Sequence, residues 1–122
     1  MRLAEDERTV AFMDIAPASD GHALVVPRAH AQDLGAIAPE DLTAVAATGQ
    51  RLARTMRERL GADGVNLLNC WGEAAWQTVF HFHLHVIPRY AGDPTRDRLT
   101  LPWTPIPGDQ DQIAATAARI RG

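Results

Sequence analysis

The sequence predicts an α+β fold: an antiparallel sheet carrying one long helix and a short C-terminal one. Three observations predict it. A strand–turn–strand pattern occupies the first part of the chain, a long amphipathic segment follows from Pro39, and a second set of alternating segments lies beyond Gly61. Hairpins built around one long helix bury their apolar faces most simply as a sheet with helices on one side.

Arg8 to Asp14 alternates, with Val10 and Phe12 on one face and Ala11 and Met13 on the other. Pro17 to Gly21 reads as a turn and His22 to Pro27 as the returning strand. Pro39 opens the helix at a favoured first-turn position, and Glu40 and Asp41 suit its positive end. Leu42, Val45, Ala46, Leu52, Ala53, Met56 and Leu60 form a 3.6-residue stripe. Arg51, Arg54, Arg57 and Arg59 crowd the last turns as a solvated, dipole-matched end, and Gly61 stops the helix. Val65 to Cys70 reads as a strand, and Thr78 to Pro88 as a longer one. The tail from Tyr90 is proline-rich, with an edge strand expected near Leu99 to Trp103 and a terminal helix over Ile113 to Arg121.

Composition narrows the function. A chain of 122 residues fits a single domain, 1–122, with a motif-bearing core over 5–90 and an irregular tail over 91–122. The net charge of −3 argues against a nucleic-acid partner. No apolar run approaches a membrane span and no secretion signal is apparent, so no membrane partner and a cytoplasmic location are expected. The lone Cys70 cannot form an internal disulfide. There is no lysine, which removes Schiff-base and P-loop chemistry. The single serine, Ser19, sits in a Pro-Ala-Ser-Asp-Gly turn rather than a nucleophile elbow. Cys70 after Asn69 reads more readily as a small packed hydrophobe than as a nucleophile.

Histidines therefore remain. In Gln77-Thr78-Val79-Phe80-His81-Phe82-His83-Leu84-His85 the histidines recur every second residue, so a strand would point all three one way. Phe80, Phe82, Leu84 and Val86 would then face the helix. A row of imidazoles suits two chemistries. As metal ligands His81 and His85 would stand about 13 Å apart along a strand, too far for one ion, although two adjacent histidines with His22 or Asp14 could ligate. As a covalent phosphoryl or nucleotidyl transfer centre, the central ring attacks phosphorus while its neighbours donate to the oxygens and the departing group. The second explains all three positions without a metal or other cofactor.

His81-Phe82-His83-Leu84-His85-Val86-Ile87 resembles the His-φ-His-φ-His-φ-φ signature of the histidine triad (HIT) family. Phe12 to Pro17, Gly21 to Pro27 with His30, and Gln77-Thr78-Val79 with Pro88-Arg89 are also similar to the family pattern. The resemblance implies a five-stranded antiparallel sheet that pairs with a second copy into a ten-stranded homodimer, and a nucleotidyl-histidine intermediate. His83 would be the nucleophile, with His85 beside the scissile phosphate and leaving group. His81 would orient the nucleophile, and His22 would contact the triad. Phe12, Asp14 and Ile15 would hold a purine nucleoside, and Thr78 a phosphate oxygen, with Asn69 and Gln77 completing the substrate contacts. Adenosine phosphoramidates, adenylylated amines and dinucleoside polyphosphates are the implied substrates; a slowly turning-over nucleotide-binding module is the rival.

Plainer roles compete at several positions. Phe12 and Ile15 could be core, Asp14 could cap a turn, and Gln77 could tie the loop to the strand. His30 reads as a surface residue outside the chemistry. Two departures from the family pattern stand out: Trp76 where a glycine is usual, and Cys70 where an amide is usual. A bulky ring at 76 opposes positive φ. The start at Met1-Arg2-Leu3-Ala4-Glu5 lacks the cysteine-bearing segment of many bacterial relatives, so no structural zinc is expected.

Overall fold

A computed structural model describes residues 1–122. Five antiparallel strands form one sheet in the order β1-β2-β3-β5-β4. They are β1 (Arg2–Glu5), β2 (Thr9–Met13), β3 (Ala23–Pro27), β4 (Gly64–Leu68) and β5 (Leu84–Arg89), with helices α1 (Pro39–Leu60) and α2 (Gln110–Arg121). The β2–β3 hairpin pairs Thr9 with Pro27 through Met13 with Ala23. Its turn requires glycine at 21: φ is +94°, and a Cβ there would lie 2.6 Å from Leu60.

Helix α1 starts on Pro39, carries Glu40 and Asp41 in its first turn and ends on Gly61 in the left-handed conformation. Its buried face is Val45, Thr48, Gly49 and Met56, packed on Ala11, Ala23, Val25, Phe82 and Val86. Gly49 allows close approach, since a Cβ there would sit 3.0 Å from Leu84. Thr48 is a buried polar member of that face and stays satisfied through a 2.8 Å hydroxyl pair with Thr9. The hydrophobic stripe thus runs through two positions that hydropathy does not flag, whereas Ala46, expected on it, is exposed.

The segment bearing the histidines differs from expectation. The strand begins at Leu84, so Thr78 to His83 is not part of the sheet. β3 pairs with β5 only through Ala23 to Val25, and Pro27 has no N–H with which to extend a ladder. The Phe82 N–H bonds the Ala31 carbonyl instead, at 2.7 Å. Phe82 is 1% exposed and anchors the segment in the core, whereas Phe80, expected beneath the helix, is 46% exposed. Phe82→Ala is expected to cost about 3–5 kcal/mol.

Other boundaries also move. β4 stops at Leu68, leaving Asn69 and Cys70 in the following loop. Leu99 to Trp103 forms no strand, because the chain there contributes only an isolated bridge between Ser19 and Asp97 upstream of it. β1, four exposed residues with one large apolar side chain, has no alternation that would mark it as a strand. Helix α2 touches no strand and not α1. It leaves Ile113 and Ile120 exposed, with Trp103 and Ile106 exposed on the tail before it. No helix is long and apolar enough to cross a membrane.

Candidate active site

The rings of His22, His85 and His83 form a continuous row, with centroids 5.1 Å apart for the first pair and 4.9 Å for the second. His85 stands on β5 opposite Leu24, and His22 immediately precedes β3. The sheet therefore brings these rings together although His83 lies just ahead of the strand.

Backbone groups determine where each proton sits, because an amide N–H only donates and a carbonyl only accepts. Ala18 N–H donates to His22 Nδ1 at 3.0 Å. Neutral His22 thus carries its proton on Nε2, which lies 2.9 Å from His85 Nδ1. His85 Nδ1 is then the acceptor, so its proton is on Nε2. His83 Nδ1 lies 2.9 Å from the His81 carbonyl and must donate to it, leaving the lone pair on His83 Nε2. The row presents one unprotonated nitrogen beside one N–H donor.

Burial maintains this arrangement. Desolvation holds His85 down to about 4, helped by neighbouring His83 and His22 and opposed by Asp14. Desolvation also lowers His22, against the attraction of Asp14. A charged His22 would carry a proton on Nδ1 pointing at the Ala18 N–H, so geometry and burial both favour the neutral ring.

Asp14 Oδ2 lies 3.5 Å from His22 Nε2, while its Oδ1 accepts from Ala16 N–H at 2.8 Å. The turn-capping role and the contact with the histidines coexist. Asp14, His22 and His85 offer donor atoms within 4.8 Å of one another, close enough for one cation. Their hydrogen bonding does not fit one. A metal on His22 Nε2 would move the remaining proton to Nδ1, against the Ala18 N–H, whereas ligating imidazoles normally donate that proton to an acceptor.

His81 is placed differently. Its ring packs on His30, centroids 5.3 Å apart, and its backbone carbonyl holds His83. His30 is exposed, as its surface reading expects, but it supports the triad segment through this pair. Asn69 Nδ2 donates to the His83 carbonyl at 3.0 Å, while its Oδ1 is buried without a partner. An amide at position 69 thus reaches the backbone of His83. Gln77 is fully engaged: its Oε1 accepts from Gly72 N–H and its Nε2 donates to the carbonyls of Gln32 and Val79. Its role here is to bolt the loop to the body. Thr78 is exposed.

Phe12 is half-buried and lines an open groove of about 650 Å³ with Val10, Val26, Arg2, Arg28 and His81. Ile15 is 96% exposed, which removes the core reading for it. Cys70 is buried, and burial pushes its thiol up, so it is no activated nucleophile.

Trp76 takes φ 71°, the one positive value outside glycine. This is the left-handed conformation that glycine adopts freely, and a tryptophan holds it at a cost of roughly 1–2 kcal/mol. Ala18 is the contributor sequence reasoning could not find, since any non-proline residue supplies an N–H.

The HIT domain family model matches residues 1–92. An uncharacterized HIT-like protein of Mycobacterium tuberculosis is 45% identical over 93 residues, covering 76% of this chain and 65% of that protein. The adenylylsulfatase HINT3 of Arabidopsis thaliana is 33% identical over 93 residues, 76% of this chain and 47% of that enzyme. The chain thus spans less than two thirds of the length of these curated relatives. Among solved structures, a HIT family protein from Bacillus anthracis matches with TM-score 0.86 and 36% identity, covering 98% of this chain and 84% of that one. A zinc-bound histidine triad family protein from Mycobacterium smegmatis gives 0.75 and 42% over 98% and 85%. With the rings of His22, His85 and His83 in one row, the expected five-stranded antiparallel sheet in place and the family model covering residues 1–92, this protein belongs to the HIT family.

Proposed function

We propose that this chain is a nucleotidyl hydrolase or transferase that cleaves the phosphoramidate or phosphoanhydride bond of an AMP-type conjugate through a nucleotidyl-His83 intermediate. The observation that carries the reading is the proton arrangement along the row: a lone pair on His83 Nε2 next to a proton on His85 Nε2. The likeness to an adenylylsulfatase supports the same class of bond.

His83 Nε2 attacks the α-phosphorus, and the bond to the leaving group breaks with its electron pair going to the departing nitrogen or oxygen, an amine nitrogen taking up a proton from solvent as it departs so that it leaves neutral. His85 Nε2–H donates to a phosphate oxygen as negative charge gathers there. Water then attacks phosphorus, and the P–N pair returns to His83. Overall, water gives hydroxyl to phosphorus and a proton to the leaving group. Phe12 and Ile15 would pack the purine, with Asp14 turning toward the ribose hydroxyls. Thr78 would meet a phosphate oxygen. Asn69 and Gln77 act by holding the His83 carbonyl and the loop.

A homodimer with a continuous ten-stranded sheet belongs to the same reading. β4 (Gly-Val-Asn-Leu-Leu) leaves an uncharged outer edge with Leu67 47% exposed, whereas the opposite edge carries Arg2 and Glu5. Leu67→Arg is expected to give a monomer by light scattering. A cytoplasmic location and a single functional unit over 1–122 are the corresponding expectations.

The decisive experiment is AMP release from an adenosine phosphoramidate by wild type and His83→Ala. Loss of at least about a thousandfold in kcat is expected. A variant as fast as wild type sinks the mechanism, and a wild type that binds AMP but releases none indicates the binding module instead.

A further inference from the structure

We propose that Trp76 is a specificity-determining residue that lines the leaving-group side of the site and selects conjugates whose leaving group is an uncharged amine bearing a flat apolar group. This rests on the nucleotidyl-transfer reading above and names its substrate class.

The first observation is strain without local compensation. Trp76 holds φ at 71°, and its side chain is 73% exposed, so the indole gains little packing within the chain. Strained non-glycine residues persist where surrounding structure enforces them, and they cluster where ligands are held. The turn is enforced here. Trp76 N–H bonds the Glu73 carbonyl, Gln77 N–H bonds the Gly72 carbonyl, and the Gln77 amide fastens both sides of the turn to the body. Glycine would adopt this backbone freely, yet a large aromatic ring is presented from it.

The second observation is position. The sheet order puts β2 and β3 on one flank of β5 and β4 on the other. Phe12 and its groove lie on the β2–β3 flank. The loop carrying Trp76 rises from β4 and is coupled to the nucleophile through the Asn69 bond to the His83 carbonyl. A conjugate whose nucleoside lies over Phe12 with phosphorus at His83 carries its other half toward that loop.

The third observation is chemistry. Residues 71–80 read Trp-Gly-Glu-Ala-Ala-Trp-Gln-Thr-Val-Phe and contain no basic residue. Trp71 is 55% exposed, Val79 59% and Phe80 46%, and Glu73 is the loop's sole charge. A sulfate or polyphosphate leaving group would meet no cation on this loop and would face a carboxylate. A neutral aromatic amine would stack instead. When the P–N bond breaks, its electron pair stays on the amine nitrogen, which takes a proton from solvent as it departs; the hydrolytic water later gives its hydroxyl to phosphorus and returns a proton to solvent.

The test measures kcat/KM for AMP release from three compounds: the arylethylamine phosphoramidate of AMP, its methylamine counterpart and diadenosine tetraphosphate. Wild type, Trp76→Gly and Trp76→Phe are compared against a His83→Ala baseline. The ratio of arylethylamine to methylamine kcat/KM is expected to fall about three- to tenfold in Trp76→Gly and to be largely kept in Trp76→Phe. Diadenosine tetraphosphate is expected to be the poorest substrate of the wild type. An unchanged ratio in Trp76→Gly, or a wild type that favours the tetraphosphate, overturns the proposal while leaving nucleotidyl transfer intact. If no compound gives AMP above the His83→Ala baseline, the nucleotidyl-transfer reading fails and takes the proposal with it.

Discussion

At the His22 end of the histidine row every ring nitrogen has a partner; at the His81 end the rings lean on each other and the backbone does the holding. His22 is 4% exposed, and both its nitrogens are engaged, one by Ala18 N–H and one by His85. His81 contacts exposed His30, and what reaches the nucleophile is its carbonyl oxygen. Beyond it lies the loop with Trp71, Trp76 and Phe80 turned to solvent. The difference separates two tasks. Buried rings with backbone partners fix protonation state, which chemistry needs constant; exposed rings on a fastened loop can vary what they meet without disturbing it.

The largest effect expected from this contrast lies in paired substitutions. His22→Asn removes the ring that orients His85 and is expected to lower kcat by about 10–100-fold, as loss of an orienting partner commonly does. His81→Ala keeps the carbonyl that sets the His83 tautomer and should cost less than about threefold. Single-turnover kinetics on one phosphoramidate checks both, and a His81 variant as impaired as the His22 variant would erase the distinction.

The next effect is on stability and pH. The native chain keeps His85 neutral down to about 4, from an ordinary value of 6.5, and His22 is lowered in the same direction. Below about 6.5 the unfolded chain takes up protons there that the native chain does not, so stability falls as pH drops from about 6.5 to about 4. Above that window both states are neutral and these rings add no pH dependence; below it native His85 protonates too, and its contribution to the slope ends. Urea denaturation at half-unit intervals should show this decline, and His85→Gln should flatten it. A variant with the wild-type slope would assign the decline to other groups. The carboxylates of Asp97 and Asp93 are held low, so they protonate at the acid end, beyond most of the window.

Much of this was legible in the chain. Periodicity located α1 to its first and last residues, because Pro39 and Gly61 punctuate it at both ends. The hairpin from Thr9 to Pro27 was equally plain. The triad was legible as a pattern, although the strand that made it persuasive begins only at Leu84; His83 still meets His85, with Phe82 anchored in the core just ahead of it. Three features were out of reach. Ala18 acts through an N–H that nearly every residue possesses, Thr48 and Gly49 are buried without being hydrophobic, and β1 is an exposed edge with no pattern to betray it. Sequence patterns record side-chain burial and chemistry; they do not record which backbone atom a side chain will find.

The smallest expected effect concerns the exposed end alone. Trp76→Gly relieves a left-handed conformation costing roughly 1–2 kcal/mol and gives back about 0.5–1 kcal/mol through the extra freedom of glycine in the unfolded chain. The net expectation is a stabilisation of about 0.5–1 kcal/mol. Ala75→Gly, one residue earlier in the turn and without positive φ, should lose about 0.5–1 kcal/mol for the same entropic reason with no strain to relieve. Opposite signs at neighbouring positions would locate the strain at Trp76 itself. Equal signs would mean the backbone there relaxes at no cost, and the exposed indole would then need no ligand to account for its place on the loop.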